Sequence, residues 1–441
     1  MSERKRIYLC LAHMSDEGLE QKYIKEAFDT NWVVPLGPNV NGFEKDLEEF
    51  VGQNKRVVAL SAGTAAVHLA LIACGVKPGD EVCVQSFTFC ASSHPITYLG
   101  ATPIFIDSEK DTWNMDPELL EEAIKDRMAK TGKKPKAIVP VALYGMPYQI
   151  DKIMAIANKY DIPVVEDAAE GFGSRWKGQV LGTFGKYGVL SFNGNKMITT
   201  SGGGALVTNN EDEWREIMMY ATQYRESNPY SQHEKIGFNY RMSNICAGIG
   251  RGQMTVVNDH IAHHKHVQKL YEELLKDVKG VTVHSQPETG EYDSNYWLCT
   301  ITLDPELKIK GQENAYKTIV KGAVGGAAGV IHAASSATTD CQPNENVEAL
   351  RVFMDQAQIE ARPVWKPMHK QPVYCRTIEN GKLKMENLPG GVICQTSDTS
   401  VAYINGVSEE IFKVGMCLPA GPYVSDEDVK YIVETIKSAI E

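Results

Sequence analysis

The segment from Arg56 to Cys74 reads RVVALSAGTAAVHLALIAC, and the fold prediction rests on its pattern. A short β-branched run, Arg56–Leu60, predicts a strand, and the small residues after it predict a helix over Gly63–Cys74. Free backbone N–H groups at the N-terminus of such a helix suit a bound phosphate, because the small side chains of Ser61–Ala66 permit close approach. Ordinary capping of the helix by a serine or threonine hydroxyl is the structural alternative.

The same alternation of strand and helix extends outward from this segment. Strands that alternate with helices predict an α/β fold with a mostly parallel central sheet flanked by helices. In such sheets ligands bind beyond the carboxyl ends of the strands. The further strands are predicted at Glu81–Gln85, Thr102–Ile106, Ala137–Ala142, Ile162–Val165, Gly188–Phe192 and Ala205–Thr208, and the helices near Ala91–Leu99, at Pro117–Lys130 and at Gln149–Tyr160.

The pattern changes after Met242, where a long helical stretch, Asn244–Lys276, precedes short strands and more helices. We therefore predict a large domain over residues 1–260 and a smaller α+β domain over residues 261–441. Two segments of the smaller domain look like insertions. Residues 321–340 are rich in Gly, Ala and Ser and are interpreted as a loop rather than a glycine-interrupted helix, and residues 377–399 are polar with a Pro-Gly-Gly turn signal.

Composition excludes several classes of protein. The chain of 441 residues holds 45 Lys and Arg against 56 Asp and Glu, a net charge of −11, which argues against nucleic acid or an anionic membrane as a bulk partner. No apolar run approaches the ~20 residues that span a bilayer, and the apolar segment near the N-terminus is too short for a secretory signal. The ten cysteines are scattered and without a CxxC pair. We interpret them as reduced thiols of a cytoplasmic protein.

Two further segments carry candidate chemistry. The run Ile162–Glu170 reads IPVVEDAAE, so a buried apolar strand ends in carboxylates. Asp167 at that end needs a cationic partner, which a protonated pyridine nitrogen would supply, unless it merely caps a helix. Downstream, Lys196 lies between the strand end at Ser191 and a glycine-rich turn, Thr199–Gly204. A lysine in a desolvated cleft can form a Schiff base, although a lone lysine is more often a surface residue.

The order of these features is more informative than any one of them. A phosphate cradle, then an acidic strand end, then a lysine 29 residues after Asp167, is the order found in pyridoxal-phosphate enzymes. Neither a Walker A loop nor a GxGxxG fingerprint occurs, so a nicotinamide-dependent enzyme is not supported.

The sequence resembles the DegT/DnrJ/EryC1/StrS sugar aminotransferases, which have the fold-type I pyridoxal-phosphate architecture. Within that family its motifs are most similar to the UDP-4-keto-sugar C4 aminotransferases of bacillosamine-type pathways. The similarity covers nearly the whole chain outside the two insertions. The segments that carry it are Pro35–Gly37, Ser86–Phe89, Glu166–Glu170, Ser191–Gly204, Gly237–Asn244 and Arg362–His369.

The resemblance implies a role for each matching residue. Lys196 matches the Schiff-base lysine and Asp167 the partner of the pyridine nitrogen. The other matches are Phe89, which stacks on the cofactor ring, Gly63, Thr64 and Ser191 at the phosphate, and Asn239, which contacts the phosphate in the other subunit of a homodimer. Glu170 departs from the Gln or His common in the wider family but agrees with the bacillosamine-type branch, which leaves open whether it contacts the cofactor hydroxyl or the sugar.

Candidate substrate residues follow from charge and aromatic character. A nucleotide diphosphate needs local positive charge, for which arginine offers bidentate geometry. Surface salt bridges are the alternative for each cation and core packing for each aromatic residue. The candidates are Arg225, Arg241, Arg362, Lys366 and His369, with Asn31, Trp32, Trp297 and Trp365 for the sugar or base pocket. No metal is expected, and the histidines at 260, 263, 264 and 266 are interpreted as an exposed helical face.

The resemblance further implies the reaction. L-Glutamate would donate an amino group to C4 of a UDP-linked 4-keto-6-deoxy-N-acetylhexosamine, for glycan biosynthesis. The alternatives are a C3 aminotransferase, one acting on another nucleotide sugar, and a non-catalytic regulator that binds pyridoxal phosphate. A dehydratase branch of the family replaces the lysine with histidine, so Lys196 argues against that branch.

Overall fold

The computed structural model describes residues 4–316, 341–375, 384–388, 391–397 and 400–441, so the insertion at residues 321–340 lies outside the described residues. The helices are α1 (Leu19–Asp29), α2 (Pro38–Val51), α3 (Gly63–Ala73), α4 (His94–Tyr98), α5 (Pro117–Thr131), α6 (Ile150–Tyr160), α7 (Glu211–Ala221), α8 (Asn244–Met254), α9 (Val257–Leu275), α10 (Glu345–Gln356), α11 (Val407–Val414) and α12 (Asp426–Ala439).

The strands of the first half are β1 (Arg56–Leu60), β2 (Glu81–Gln85), β3 (Thr102–Ile106), β4 (Ala137–Val139), β5 (Val165–Asp167), β6 (Arg175–Trp176), β7 (Gln179–Val180), β8 (Tyr187–Ser191) and β9 (Gly204–Thr208). Those of the second half are β10 (Val281–Val283), β11 (Tyr292–Asp293), β12 (Cys299–Leu303), β13 (Arg362–Pro363), β14 (Lys384–Leu388), β15 (Gly391–Ser397), β16 (Ser400–Ile404) and β17 (Gly415–Leu418).

The large sheet has the order β1-β9-β8-β5 on one side and β4-β2-β3-β16-β15-β14 on the other. Two parallel bridges, Ile138 to Val164 and Val141 to Asp167, join β4 to the β5 region, so the strands form one continuous surface. The strands β8, β5, β4, β2, β3 and β16 run parallel, whereas β9 is antiparallel to both neighbours. The predicted α/β fold with a mostly parallel sheet is confirmed.

Strand β1 shows why the central strands are apolar throughout. Val57 and Ala59 pack in the core on one face of the sheet, and Val58 and Leu60 pack in the core on the other. Because successive side chains alternate between faces and helices cover both, every position from Val57 to Leu60 is buried. The same arrangement explains the fully buried strand β8.

Two predicted elements have different bounds. The strand predicted over Ala137–Ala142 ends at Val139, because Pro140 has no N–H with which to continue the pairing. The single long helix predicted over Asn244–Lys276 divides into α8 and α9 near Thr255. The Thr255 hydroxyl donates to the carbonyl of Gly252 at 2.6 Å and competes there with the helical hydrogen bonds.

The later part of the chain forms a second sheet with the order β10-β12-β17-β13. Its core includes residues of α9, α10 and α12 together with Ile7 near the start of the chain. The polar insertion at residues 377–399 includes β14 and β15, which form an antiparallel hairpin that extends the large sheet beyond β16. The boundary predicted at residues 260/261 falls within α9, and the division into two domains stays a prediction. Among the described residues, no helix is both long and apolar enough to cross a bilayer.

Candidate active site

A cavity of about 350 Å³ opens at the carboxyl ends of β5 and β8, beside the N-terminus of α3. This is the edge at which the sheet rule places a ligand. The cavity brings together nine of the candidate site residues named from the sequence: Gly63, Thr64, Phe89, Asp167, Glu170, Ser191, Lys196, Trp297 and Trp365.

The N-terminus of α3 lies at one end of the cavity. Ala62 occupies the N-cap position in extended conformation, and no side chain of the described residues caps this helix. The alternative of capping by Ser61 or Thr64 is therefore wrong. A Cβ on Gly63 would lie 3.1 Å from the Cβ of Ser191, so glycine permits the close approach of α3 to β8. Uncapped N–H groups beside a serine hydroxyl form a site suited to an anion.

Asp167 ends β5 with its side chain in the cavity, only 4% exposed. Its Oδ2 accepts a hydrogen bond from Ser92 Oγ at 2.6 Å, and its Oδ1 accepts one from the Ala169 N–H at 3.1 Å. Thr88 Oγ1 lies 2.8 Å from Ser92 Oγ and extends the chain of hydroxyls. Burial raises the pKa of Asp167, so a cation facing this carboxylate would be strongly held.

Glu166 precedes Asp167 and points to the opposite face of the strand. It is fully buried, and its Oε2 accepts hydrogen bonds from the N–H groups of Phe184 and Gly185 at 3.0 and 3.4 Å. Burial raises the pKa of Glu166 to about 7. Only one of the two adjacent carboxylates therefore faces the cavity, as the two-residue period of a strand requires.

Lys196 lies in the loop after β8, and its Nζ points between a carboxylate and an indole ring. The Nζ lies 3.5 Å from Glu170 Oε1 and 3.9 Å from the centroid of the Trp297 ring. Trp297, which is buried, also donates through Nε1 to the carbonyl of Asn195 at 2.7 Å. The amine is thus held by an ionic contact with Glu170 and a cation–π contact with Trp297.

Glu170 is fixed by two donors besides Lys196. Its Oε2 accepts from the Tyr144 N–H at 2.7 Å, and its Oε1 accepts from Trp365 Nε1 at 3.3 Å. The hydroxyl of Tyr144 in turn accepts from the Trp365 N–H at 2.7 Å. Burial raises the pKa of Glu170, whereas the Lys196 charge opposes that rise.

Aromatic rings cover the cavity on the solvent side. Phe89 is 48% exposed, and its ring centroid lies 5.4 Å from that of Trp365. A half-exposed phenylalanine over a polar cavity offers a flat apolar face to a planar ligand.

The other predicted contact residues lie outside this cavity. Asn239, Arg225 and Arg241 line a separate depression of about 490 Å³ beside Pro35 and Leu36. Of these, Arg241 is paired with Glu44 at 2.5 Å and donates to the carbonyl of Ala59.

The C-terminal cations also have protein partners. Arg362 pairs with Glu360 at 2.6 Å, and Lys366 donates to the carbonyl of Cys341 at 3.0 Å. His369 is 1% exposed and bridges Ser86 Oγ at 2.6 Å and Glu409 Oε1 at 3.1 Å. These contacts tie Arg241 and His369 to other residues of the same chain, and their roles in substrate binding stay predictions.

Several residues of the cavity were missed in the sequence. Ser92 and Tyr144 act through hydrogen bonds to residues that are distant in the chain, and no local motif marks them. Thr88 lies in the segment Ser86–Phe89, but its contact with Ser92 was not predicted. Trp297 was named for a sugar pocket but contacts Lys196. Its segment, Asn295–Trp297, directly follows no strand that the sequence predicted, so no strand end signalled a site there.

The histidines of α9 differ from expectation. The predicted exposed face is wrong for His260 and His264, which are buried, whereas His266 is exposed. Within the described ranges, no group of three or more histidine, cysteine, aspartate and glutamate side chains is arranged to hold a metal ion. All ten cysteines fall in those ranges, and none of them is in a disulfide there.

Comparison with known proteins identifies the family of this chain. The model of the DegT/DnrJ/EryC1/StrS aminotransferase family matches residues 15–322. The chain belongs to this family. EpsN of Bacillus subtilis (strain 168), named as a pyridoxal phosphate-dependent aminotransferase, is 40% identical over 432 residues, which cover 98% of this chain and 95% of EpsN. The GDP-perosamine synthase of Escherichia coli O157:H7 is 32% identical over 97% of this chain and 98% of its own.

A solved structure of a family member agrees with the fold. The DegT/DnrJ/EryC1/StrS aminotransferase of Brucella abortus superposes with a TM-score of 0.76 and 26% identity, over 96% of this chain and 95% of its own. The chain is thus a pyridoxal phosphate-dependent sugar aminotransferase of fold-type I, as the sequence motifs predicted.

Proposed function

We propose that this enzyme transfers the amino group of L-glutamate to C4 of a UDP-linked 4-keto-6-deoxy-N-acetylhexosamine, in amino-sugar biosynthesis of the bacillosamine type. The observation that carries the proposal is the convergence of Lys196, Asp167 and Glu170 in one cavity. The choice of a UDP sugar and of C4 rests on the motifs shared with that branch, Glu170 among them. Ten cysteines without a disulfide among the described residues agree with a reducing cytoplasm as its location.

The residues of the cavity fit pyridoxal phosphate. Gly63 and Thr64 would supply N–H groups of α3 to the phosphate, together with the hydroxyl of Ser191. Asp167 would hold the proton on the pyridine nitrogen, and that cation would favour the ionised form of its buried carboxylate. Phe89 would stack on the ring.

The bound cofactor supplies an electron sink for the charge left when a proton leaves a substrate carbon. Lys196 would anchor the cofactor and then, once displaced by the amino donor, move the proton between the donor Cα and the C4′ position. Glu170, held by Tyr144 and Trp365, would keep the Lys196 amine directed at that position and contact the cofactor or the sugar. Trp365 would form one wall of the sugar pocket.

We further propose a homodimer with shared active sites. Asn239 is exposed and lies away from the cavity of its own chain, beside an exposed apolar strip that includes Trp32, Val33, Val34 and Leu36. Burial of that strip against a second copy would stabilise the pair and carry Asn239 to the partner's phosphate site. Arg225, exposed in the same depression, is the cation best placed to meet a nucleotide diphosphate there, with Arg362 and Lys366 as further candidates.

A direct assay tests the substrate. Purified enzyme, pyridoxal phosphate and L-glutamate are incubated with UDP-4-keto-6-deoxy-N-acetylglucosamine, with a GDP-linked 4-keto sugar and with a UDP-linked 3-keto sugar in parallel. We expect a C4-amino product from the first alone. Product from the GDP sugar would favour the reaction suggested by the relative's name, GDP-perosamine synthase, and product from the 3-keto sugar would favour the C3 alternative.

A second experiment addresses the non-catalytic alternative. L-Glutamate is added to the loaded enzyme without any sugar, and the absorption of the bound cofactor is followed. A transaminase converts the cofactor to its amino form and releases 2-oxoglutarate, whereas a regulator leaves the spectrum unchanged.

A further inference from the structure

Two buried histidines of α9 contact the backbone on either side of the Lys196–Trp297 pair. His260 Nδ1 lies 3.1 Å from the carbonyl oxygen of Met197, and His264 Nδ1 lies 3.1 Å from the carbonyl oxygen of Tyr296. Because the two histidines are four residues apart on one helix, they project from the same face one turn apart.

The two carbonyls are adjacent in sequence to the residues that meet in the cavity. Met197 follows Lys196, and Tyr296 precedes Trp297, whose ring lies 3.9 Å from the lysine Nζ. Trp297 Nε1 also donates to the carbonyl of Asn195, the residue before the lysine, at 2.7 Å. Helix α9 therefore contacts both partners of the cation–π pair. It reaches the lysine loop through His260 and the segment before Trp297 through His264.

The chemistry of these contacts requires a proton on Nδ1 of each imidazole. A carbonyl oxygen only accepts, so each Nδ1 must donate. Burial lowers the pKa of both histidines, in the case of His264 to about 3, so neither adds a positive charge beside the lysine. In the described part of the chain the Nε2 of His264 has no hydrogen-bond partner, which leaves the Nδ1 contact as its polar role.

The backbone at Tyr296 is itself held in a disfavoured conformation. Its φ of 48° lies in the left-handed region, which is unfavourable for a bulky residue. Such a conformation persists where surrounding contacts fix it, and the His264 contact is made to the carbonyl of this same residue.

We propose that His260 and His264 are positioning residues that hold Lys196 against Trp297 through the carbonyls of Met197 and Tyr296. The inference rests on the proposed catalytic role of Lys196. Neither histidine lines the cavity, so both act through the residues that do.

The test compares variants that keep or remove the donor. In His260→Asn and His264→Asn, the amide Nδ2 can take the place of Nδ1, whereas the corresponding alanine variants remove the donor. His266→Ala is the matched control, because His266 lies on the same helix but is exposed and bonded to Asp426. For each loaded protein we would measure the visible circular dichroism of the bound cofactor, the rate and KM of its single half-reaction with L-glutamate, and the melting temperature.

We expect each alanine variant to slow the half-reaction about tenfold, with KM changed less than about twofold and the cofactor dichroism altered, because the lysine is displaced from its reactive position. The asparagine variants should recover most of the rate, and His266→Ala should match the parent. Alanine variants that keep the parent's rate and dichroism would overturn the proposal. Asparagine variants that react no faster than the alanine variants, at the same melting temperature, would also overturn it.

If an alanine variant fails to fold, the glutamine variant of the same histidine, His260→Gln or His264→Gln, replaces it, because a glutamine amide reaches the Nε2 rather than the Nδ1 position. Equal rates for the Asn and Gln variants would then count against the proposal. Lys196→Ala is measured in parallel. Retention of its visible cofactor band would overturn the role of Lys196 itself. Loss of that band, together with histidine variants that match the parent in rate and dichroism, would overturn only the positioning role.

Discussion

The Nζ of Lys196 lies 3.5 Å from Oε1 of Glu170, a carboxylate that two other donors already hold in place. The amine therefore has a fixed ionic partner on one side and the Trp297 ring on the other. This geometry is the basis for the predictions on the cavity.

Replacement of Lys196 by alanine should abolish the visible band of the lysine-linked cofactor. The rate of transamination should fall at least about 10³-fold, because both the anchor and the proton carrier are lost. Absorption spectra and a coupled assay for 2-oxoglutarate provide the measurement. Lys177→Ala is the control, since Lys177 pairs with Asp151 and Glu291 at the surface. A normal band in Lys196→Ala would show that another lysine carries the cofactor.

Asp167→Asn removes a charge while it keeps the side chain's shape. We expect the rate to fall about 10²-fold, because a neutral amide cannot hold the proton on the pyridine nitrogen. Ser92→Ala, which deletes only the hydrogen bond to Asp167, should cost less than about tenfold. Steady-state kinetics of the two variants side by side provide the measurement, and an equal loss in both would contradict the role given to the Asp167 charge.

Gly63→Ala should weaken cofactor binding about tenfold, because the new Cβ would press on Ser191 at the predicted phosphate site. Gly202 lines the same cavity, but a Cβ added there would meet no atom within 4 Å, so Gly202→Ala should bind normally. Titration of the apoprotein with pyridoxal phosphate gives both dissociation constants. Equal affinities for the two variants would argue against a phosphate at the N-terminus of α3.

Glu166 should make stability depend on pH. Its folded-state pKa of about 7 lies above the value of 4.5 for a free glutamate, so the folded state binds the proton more tightly. The stability contribution is complete below pH 4.5 and is lost as pH rises to about 7, by at most about 3 kcal/mol. Urea unfolding of the apoprotein between pH 5 and about 8 should show this decline. Glu166→Gln should flatten it, and an unchanged slope would contradict the assignment.

The proposed dimer predicts complementation between inactive chains. Lys196→Ala and Asn239→Ala are each expected to be inactive or nearly so. A refolded equimolar mixture should regain about a quarter of the parent activity, because half of the dimers are mixed and each mixed dimer holds one intact site. If mass spectrometry shows mixed dimers but the activity does not recover, Asn239 contributes to the active site of its own chain.

Much of the cavity could be predicted because its main residues follow strand ends in a fixed order. Gly63, Asp167 and Lys196 each come shortly after an apolar run, and the sheet brings those ends together. Ser92 was not predictable, since it reaches Asp167 across 75 residues of chain. The pairing of Arg241 with Glu44 spans 197 residues, so the charge of Arg241 in the sequence did not reveal that it is already neutralised.

The fold was predicted well where strands are buried on both faces, as in β1 and β8. It was predicted less well where polar residues form strands. The segment of β14 and β15 is rich in turn residues and polar side chains. It nevertheless forms strands, because the backbone of β15 pairs with β16 at the edge of the sheet and that of β14 pairs with β15. The composition of a segment does not show that a sheet edge lies beside it. This edge exists only because β16, which is distant in sequence, pairs with β3.

Helix α9 packs against β10 and β12 of the second sheet and against α12, and the same helix bears His260 and His264. A rotation of that sheet toward the cavity would therefore move the backbone at Met197 and Tyr296 in concert. The position of the lysine loop is thereby tied to that of the second sheet through a single helix, which contacts both.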